Sequence, residues 1–236
     1  HIMKKTDNNI LRFISADKEN QVTDSAELEK QLNELNHSLA QIGDVYSADK
    51  MDLQLQLAHN YLQSERQQDA WDLARIIVDD CIQNENWQHA VEAYDVMFLS
   101  DQNDFLCALG QGVWLAVTFP IDPEVSVAML EHIIDETADD SDGAAVAAAT
   151  AVYIADIRCE GKHRENLMFF ANNLLGKVAE RHSQIDSEAK FEFWLQKLEL
   201  TDPACFLVRL RNVIDVLVQD EWWFDREKLQ QLIPDQ

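Results

Sequence analysis

The stretch "LAHNYLQSERQQDAWDLARII" at residues 57–77 indicates a helical fold. It contains two segments with apolar residues at helical spacing, separated by a polar link. Residues three and four positions apart lie on one face of an α-helix, so apolar side chains at these steps predict a helix with one buried face. The apolar residues of the stretch that follow these steps are Leu57, Ala58, Tyr61, Ala70, Ala74 and Ile77. The pattern predicts a helical hairpin whose two apolar faces pack against each other.

The rest of the chain extends this pattern. Of its 236 residues, 47% are hydrophobic and 26% are charged, which is typical of a globular protein with one large core or two small ones. Only 6 Gly and 4 Pro are present, and this scarcity favours long helices with short links. Polar links fall at 62–68, 83–86, 100–104, 119–123, 137–143, 160–164, 182–188 and 200–203. We predict an all-α fold of about ten helices in stacked antiparallel pairs, an α-solenoid-like repeat array that forms a single domain over residues 25–236.

The N-terminal residues are predicted to lie outside this domain. Residues 1–2 precede Met3 and are interpreted as a cloning remnant. The mixed polar composition that follows predicts a flexible arm over residues 1–24. Because Lys4 and Lys5 are not followed by the apolar stretch of a signal peptide, we expect a cytoplasmic protein.

A stripe of apolar residues opens the predicted domain. Asp24 and Glu27 are spaced as a capping box, which predicts a helix start. The stripe, at alternating steps of four and three, consists of Leu28, Leu32, Leu35, Leu39 and Ile42. We interpret it as a helix that packs on its own domain. The alternative is a coiled-coil seam that forms a homodimer through residues 25–45.

The first helices of the predicted hairpins recur at regular steps. Sets of four residues at relative positions 0, 3, 4 and 7 begin at Gln54, Trp87, Val127, Leu167 and Leu207, which gives steps of 33, 40, 40 and 40 residues. Stacked helical hairpins produce such a near-constant step, because each hairpin buries its apolar face only against its neighbours.

Residues 51–104 resemble the tetratricopeptide repeat family. The six apolar residues of the opening stretch fall at positions 7, 8, 11, 20, 24 and 27 of its motif, and Trp87 stands where the motif has its tryptophan. The chain departs from the motif in having Gln54 at a large apolar position, in lacking a proline near position 32 and in drifting to a 40-residue step. The resemblance implies a concave groove for a peptide or a partner helix, but the family's basic residues that hold an acidic peptide terminus are not found.

The formal net charge of -24 is concentrated in the middle of the chain. Residues 76–157 contain 16 Asp and Glu and neither Lys nor Arg. Carboxylates there are expected to lack a local cation, so they should attract a protein partner with a basic surface and repel nucleic acid. Solubility alone is the alternative explanation of an acidic surface.

Two segments are candidate partner-binding sites. The acidic one is "DETADDSD" at residues 135–142, and its carboxylates belong to Asp135, Glu136, Asp139, Asp140 and Asp142. The aromatic one is "DEWWFDRE" at residues 220–227, in which Trp222, Trp223 and Phe224 cannot all face one core from a single helix. At least one of these rings is therefore expected to be partly exposed. The aromatic segment either folds back to cap the last hairpin or presents a docking anchor, since Trp is enriched among interface hot spots.

The motifs of catalysis and metal binding are weak. The carboxylates and histidines at 131–136 and 160–163 are the candidate metal ligands, but matched Glu-x-x-His pairs on facing helices do not follow from the spacing. As an EF-hand loop, the acidic segment would place Ala138 and Ala149 at ligand positions. Four isolated cysteines without a CxxC motif predict reduced thiols. We expect no cofactor.

The first functional hypothesis is a non-enzymatic, cytoplasmic scaffold or adaptor that binds a protein partner through its acidic surface, without contact to nucleic acid or a membrane. The second is an assembly chaperone for a cofactor-containing enzyme subunit, because such chaperones are acidic, helical and of similar size. The third is a helical metalloprotein that uses the carboxylates and histidines named above.

Overall fold

The structure, a computed structural model, describes residues 24–234, which fold into eleven α-helices without a β-strand. The predicted all-α class is confirmed. The predicted flexible arm at 1–24 lies, apart from Asp24, outside the described residues. The helices are α1 Ser25–Ile42, α2 Ala48–Gln63, α3 Gln67–Gln83, α4 Trp87–Leu99, α5 Phe105–Thr118, α6 Pro123–Glu136, α7 Asp142–Arg158, α8 Gly161–Ser183, α9 Glu188–Lys197, α10 Pro203–Val218 and α11 Arg226–Gln230. Within residues 24–234, no helix is long and apolar enough to span a bilayer.

The helices group into two compact units. The first unit combines residues up to Phe119 with the segment that begins at Glu221, and so contains α1–α5 and α11. The second unit is continuous, from Pro120 to Asp220, and contains α6–α10. The first unit is therefore discontinuous in sequence. The prediction of a single repeat domain over residues 25–236 stays a prediction.

In the first unit, each helix from α1 to α5 packs against the next one along the chain, and α2 also contacts α4. The hairpin predicted from the opening stretch is formed by α2 and α3. Of the six apolar residues that defined the pattern, five are buried and Tyr61 is half-buried. Membership of the tetratricopeptide family stays a prediction, because a helical hairpin alone does not distinguish that family from other helical repeats.

The links from α2 to α3 and from α3 to α4 have the same backbone conformation. The Arg66 N–H donates to the Tyr61 carbonyl at 2.8 Å, and the Asn86 N–H donates to the Cys81 carbonyl at 2.9 Å. These bonds close the Schellman motif, which normally has glycine in its left-handed position. Here Glu65, at φ 57°, and Glu85, at φ 53°, occupy that position.

In the second unit, α7 is the central helix and contacts α6, α8 and α10. Its residues from Ala144 to Ala151 are all buried, and they are Ala, Val or Thr, so the neighbouring helices approach its backbone closely. The helix begins at Asp142, a residue type that often serves as the N-cap itself. The N-cap is instead Ser141, whose hydroxyl accepts from the Gly143 N–H at 3.1 Å, and this leaves the Asp142 carboxylate for other contacts.

Candidate protein-binding surfaces

The acidic segment at residues 135–142 spans the end of α6, the link and the first residue of α7. All five of its carboxylate residues are exposed, as the sequence pattern requires of a docking surface. Asp135 and Glu136 lie in the last turn of α6. Acidic side chains there oppose the helix dipole, whose C-terminal end is negative, so their negative potential adds to that of the helix end.

Part of this acidic charge is compensated, contrary to expectation. The Arg181 Nε lies 3.8 Å from an Asp139 carboxylate oxygen, and the Arg209 Nη2 lies 3.7 Å from an Asp142 carboxylate oxygen. His182 contacts the other Asp142 oxygen at 2.8 Å. The expectation that residues 76–157 lack local cations is therefore wrong for these two aspartates, and also for Asp79 and Asp156, which pair with Arg75 and Arg164. For Asp139 and Asp142 the reason is tertiary packing, since α8 and α10 bring their cations to the start of α7.

Arg181 also completes the end of α6. One of its terminal nitrogens donates to the Ile134 carbonyl at 2.9 Å, and so satisfies a backbone acceptor that the helix leaves unpaired. Glu136 and Asp140 are exposed and form no ion pair with a Lys or Arg of the described residues. These two carboxylates are the part of the acidic segment that we consider available to a partner.

The aromatic segment packs against the first unit. We call residues 221–230 the C-terminal strap. Its Trp223 ring lies parallel to the Tyr94 ring with centroids 6.0 Å apart, and it meets the Trp71 ring edge-on at 6.0 Å. The Arg75 guanidinium lies over the same indole, 4.7 Å from its centroid. The strap residue Trp223 is thus seated among side chains of α3 and α4.

Gln111 holds the backbone of the C-terminal strap from α5. Its side-chain oxygen accepts from the Trp223 N–H at 3.1 Å, and its nitrogen donates to the Glu221 carbonyl at 3.1 Å. The same oxygen accepts from the Tyr94 hydroxyl at 2.9 Å. Gln111 and Tyr94 are fully buried, so these bonds satisfy polar groups that would otherwise be costly to bury.

The two other strap rings contact a second aromatic group. Trp222 and Phe224 lie 6.1 Å and 5.6 Å from the Trp114 ring, and the Arg226 guanidinium covers the Trp222 ring at 4.0 Å. All three strap aromatics are half-buried, which confirms that at least one is partly exposed. The interpretation that the segment caps the last hairpin is wrong. It packs on α3, α4 and α5, where a buried amide and a tyrosine supply its partners.

The sequence identified Trp222 and Trp223 but missed the residues that receive them. One signal was present, because Gln111 is a polar residue between two glycines in an otherwise apolar run, "FLCALGQGVWLAVTFPI". A polar side chain in the middle of a buried helix has to find a partner. Trp71, Arg75 and Tyr94 carry no comparable signal, since their roles depend on where the C-terminal strap returns.

The apolar stripe of α1 is only partly covered. Leu28 is its one fully buried member, the next three leucines are half-buried and Ile42 is exposed. Asn60 of α2 is buried and donates from Nδ2 to the Leu28 carbonyl at 2.9 Å, which ties the start of α1 to α2. The homodimer through residues 25–45 stays a prediction.

The candidate chemical groups are dispersed. His163 pairs with Glu124, and burial raises the pKa of that carboxyl group while the histidine opposes the rise. Burial raises the pKa of the Cys81 thiol to about 12 and that of the Cys159 thiol to about 11. Between residues 24 and 234, no three His, Cys, Asp or Glu side chains are grouped to hold a metal ion.

No protein-family model matches the chain, and no curated protein or solved structure matches it.

Proposed function

We propose that this protein is a non-enzymatic adaptor that docks a basic segment of a partner protein on the acidic segment at residues 135–142. The observation that carries the proposal is the position of Asp135 and Glu136 in the last turn of α6. Carboxylates at a helix C-terminus cost about 0.3–1 kcal/mol each, so this placement sacrifices stability for a stronger negative potential.

The geometry suits a basic peptide. Exposed carboxylates in a short link accept charge-assisted hydrogen bonds from Lys or Arg without a large desolvation cost. The pairs that Arg181 and Arg209 form with Asp139 and Asp142 hold one side of the segment in place. Glu136 and Asp140 then face solvent as the acceptors for the partner.

The thiols support a binding role in a reducing compartment. All four cysteines are unpaired, and the pKa of each is raised, chiefly by desolvation. Protonated thiols are poor nucleophiles at neutral pH. Unpaired cysteines are typical of cytoplasmic proteins, and we place the adaptor there.

Binding of a fluorescent oligolysine peptide tests the proposal. The variant D135N/E136Q/D139N/D140N removes four charges from the acidic segment and leaves Asp142 with its partners. The matched control E160Q/E180Q/E188Q/E192Q removes four exposed charges elsewhere in the second unit. We expect the first variant to bind about tenfold more weakly, a loss of about 1.4 kcal/mol, with a shallower salt dependence, and the control to stay close to the unmodified protein.

Thermal melting separates lost binding from lost folding. The single variant E136Q removes only the exposed carboxylate at the end of α6, so it should leave the melting temperature unchanged or raise it. Equal losses of affinity in the two variants would show that only the net charge attracts the peptide, and the acidic segment would then not be the docking site.

A further inference from the structure

The first half of the C-terminal strap, residues 221–225, lies against α3, α4 and α5, and we call this surface the groove; it has the chemistry of a peptide-binding site. Residues 221–225 form no helix. Gln111 bonds the carbonyl of Glu221 and the N–H of Trp223. Because both bonds go to main-chain atoms, Gln111 could form them with any segment that places a carbonyl and an N–H two residues apart at the same positions.

The ring site in the groove selects the side chain. In this site the Trp223 ring stacks on the Tyr94 ring, meets the Trp71 ring edge-on and is covered by the Arg75 guanidinium. Among the aromatic residues, Trp gives the strongest cation–π interaction and the largest contact area. The site therefore favours an indole over a phenyl ring.

The strap is held in a way that permits release. Its three aromatic residues are half-buried, whereas Gln111 and Tyr94 beneath them are fully buried. The strap is preceded by two successive non-glycine residues in the left-handed conformation, Gln219 at φ 53° and Asp220 at φ 65°. Gln219 ends α10, and its N–H donates to the Asp215 carbonyl, so the strap begins directly after a helix end.

We propose that the groove on α3, α4 and α5 binds an extended, tryptophan-containing segment of a partner protein, and that the C-terminal strap occupies this groove when the partner is absent. The partner segment would place its indole between Tyr94 and Arg75 and its flanking backbone on Gln111. This site lies in the first unit and does not depend on the acidic segment of the second, so either proposal can fail without the other.

The test uses a fluorescent peptide with the sequence of residues 220–227, "DEWWFDRE", added to the full chain. The variant W223A removes the indole that fills the groove, whereas the matched control W222A changes the neighbouring residue and leaves Trp223 in place. If the strap closes the groove in at least about nine molecules of ten, W223A should bind the peptide at least about tenfold more tightly than the unmodified protein. W222A removes the contact of Trp222 with Trp114 but keeps the indole of Trp223 in the groove, so its gain should be smaller than that of W223A, and W223A/Q111L should lose the gain.

Two outcomes would overturn the proposal. One is a W223A variant that is folded by circular dichroism but binds no more tightly than the unmodified protein. The other is a W223A/Q111L variant that keeps the gain, since the amide would then not recognise the peptide backbone.

Hydrogen exchange on the unmodified protein decides the question if W223A does not fold. The peptide is added at about 1 mM, a concentration high enough to occupy even a weak site. The Trp223 amide should then exchange faster, because the peptide replaces the strap on Gln111. An unchanged rate would show that the strap is a fixed part of the first unit.

Discussion

Glu85 occupies a backbone position that favours glycine. It sits at φ 53° just beyond the end of α3, where a side chain is strained and a negative charge opposes the helix dipole. We expect E85G to raise the free energy of unfolding by about 0.5–1 kcal/mol, since the relief of strain exceeds the added flexibility of the unfolded chain. Urea denaturation measures the change.

The variant E85Q is the matched control for this prediction. It removes the charge and keeps the strained conformation, so it should recover only the dipole contribution. If E85Q stabilises the protein as much as E85G does, the left-handed conformation carries no cost, and the prediction is wrong.

At the scale of residues, the sequence predicts which side chains are buried better than it predicts which side chains contact each other. Leu57, Ala58 and Ile77 are buried as their helical spacing requires, because each position depends on its own helix. The contacts of Asp142 with His182 and Arg209 could not be predicted, because those side chains lie 40 or more residues away along the chain. Gln111 is the intermediate case, since its sequence context signals a partner without naming it.

At the scale of elements, α1 is the helix with the least support. It has one fully buried side chain, Leu28, and packs against α2 alone among the pairs with substantial contact. Helices with few buried contacts open locally before the rest of the protein unfolds. The fourteen residues of α1 after Leu28 therefore depend on that one fully buried side chain and on the Asn60 bond to its carbonyl.

We expect L28A to speed amide hydrogen exchange throughout α1 by about 30-fold, the equivalent of about 2 kcal/mol, a low value for a buried leucine. The rates in α3 to α5 should stay within about twofold. The matched control L39A truncates a half-buried leucine of the same helix and should have a smaller effect. A uniform acceleration in all helices of the first unit would contradict the prediction, because it would show that α1 opens only with global unfolding.

The same measurement tests the homodimer. If residues 25–45 form a seam between subunits, protection of α1 should rise with protein concentration. If the hydrogen-exchange protection of α1 does not depend on protein concentration, the homodimer is contradicted, and α1 is a helix that packs only on its own unit.

The elements themselves were predictable, and their grouping was not. The polar links at 62–68 and 83–86 match the ends of α2 and α3, because a link needs only local turn residues. The pairing of α10 with α7 and the return of residues 221–230 to α3–α5 depend on contacts distant in sequence. The regular spacing of the hairpins predicts contacts only between successive hairpins. It therefore could not predict that residues 221–230 return to the first unit.

At the scale of the whole molecule, the net charge of -24 makes stability depend on salt and pH. Carboxylate repulsion destabilises the folded state at neutral pH. We expect the melting temperature at pH 7.5 to rise when NaCl is increased from low salt to about 0.5 M, where the Debye length is only a few ångströms. A melting temperature indifferent to salt would show that the carboxylates are compensated locally throughout, as Asp139 and Asp142 are in part.

Lower pH should act in the same direction as salt. Burial raises the pKa of the Glu124 carboxyl group above its ordinary value, so the folded state takes up a proton more readily than the unfolded state does. The protonated Glu124 carboxyl group contributes its full stabilisation at pH values below the pKa that it has in the unfolded chain. This stabilisation is lost as the pH rises through the higher pKa that it has in the folded protein. The melting temperature should therefore be higher at pH 5.5 than at pH 7.5, and E124Q should show a smaller difference between the two.

The discontinuity of the first unit has a consequence for synthesis on the ribosome. The Trp223 N–H and its acceptor on Gln111 are separated by 112 residues of sequence, and the entire second unit lies between them. At about 5–20 residues per second, translation takes roughly 6–22 s to pass from one to the other. During that interval Tyr94 and Gln111 lack the cover that residues 221–225 later supply, so these two polar side chains stay accessible in the nascent chain until those residues have been translated.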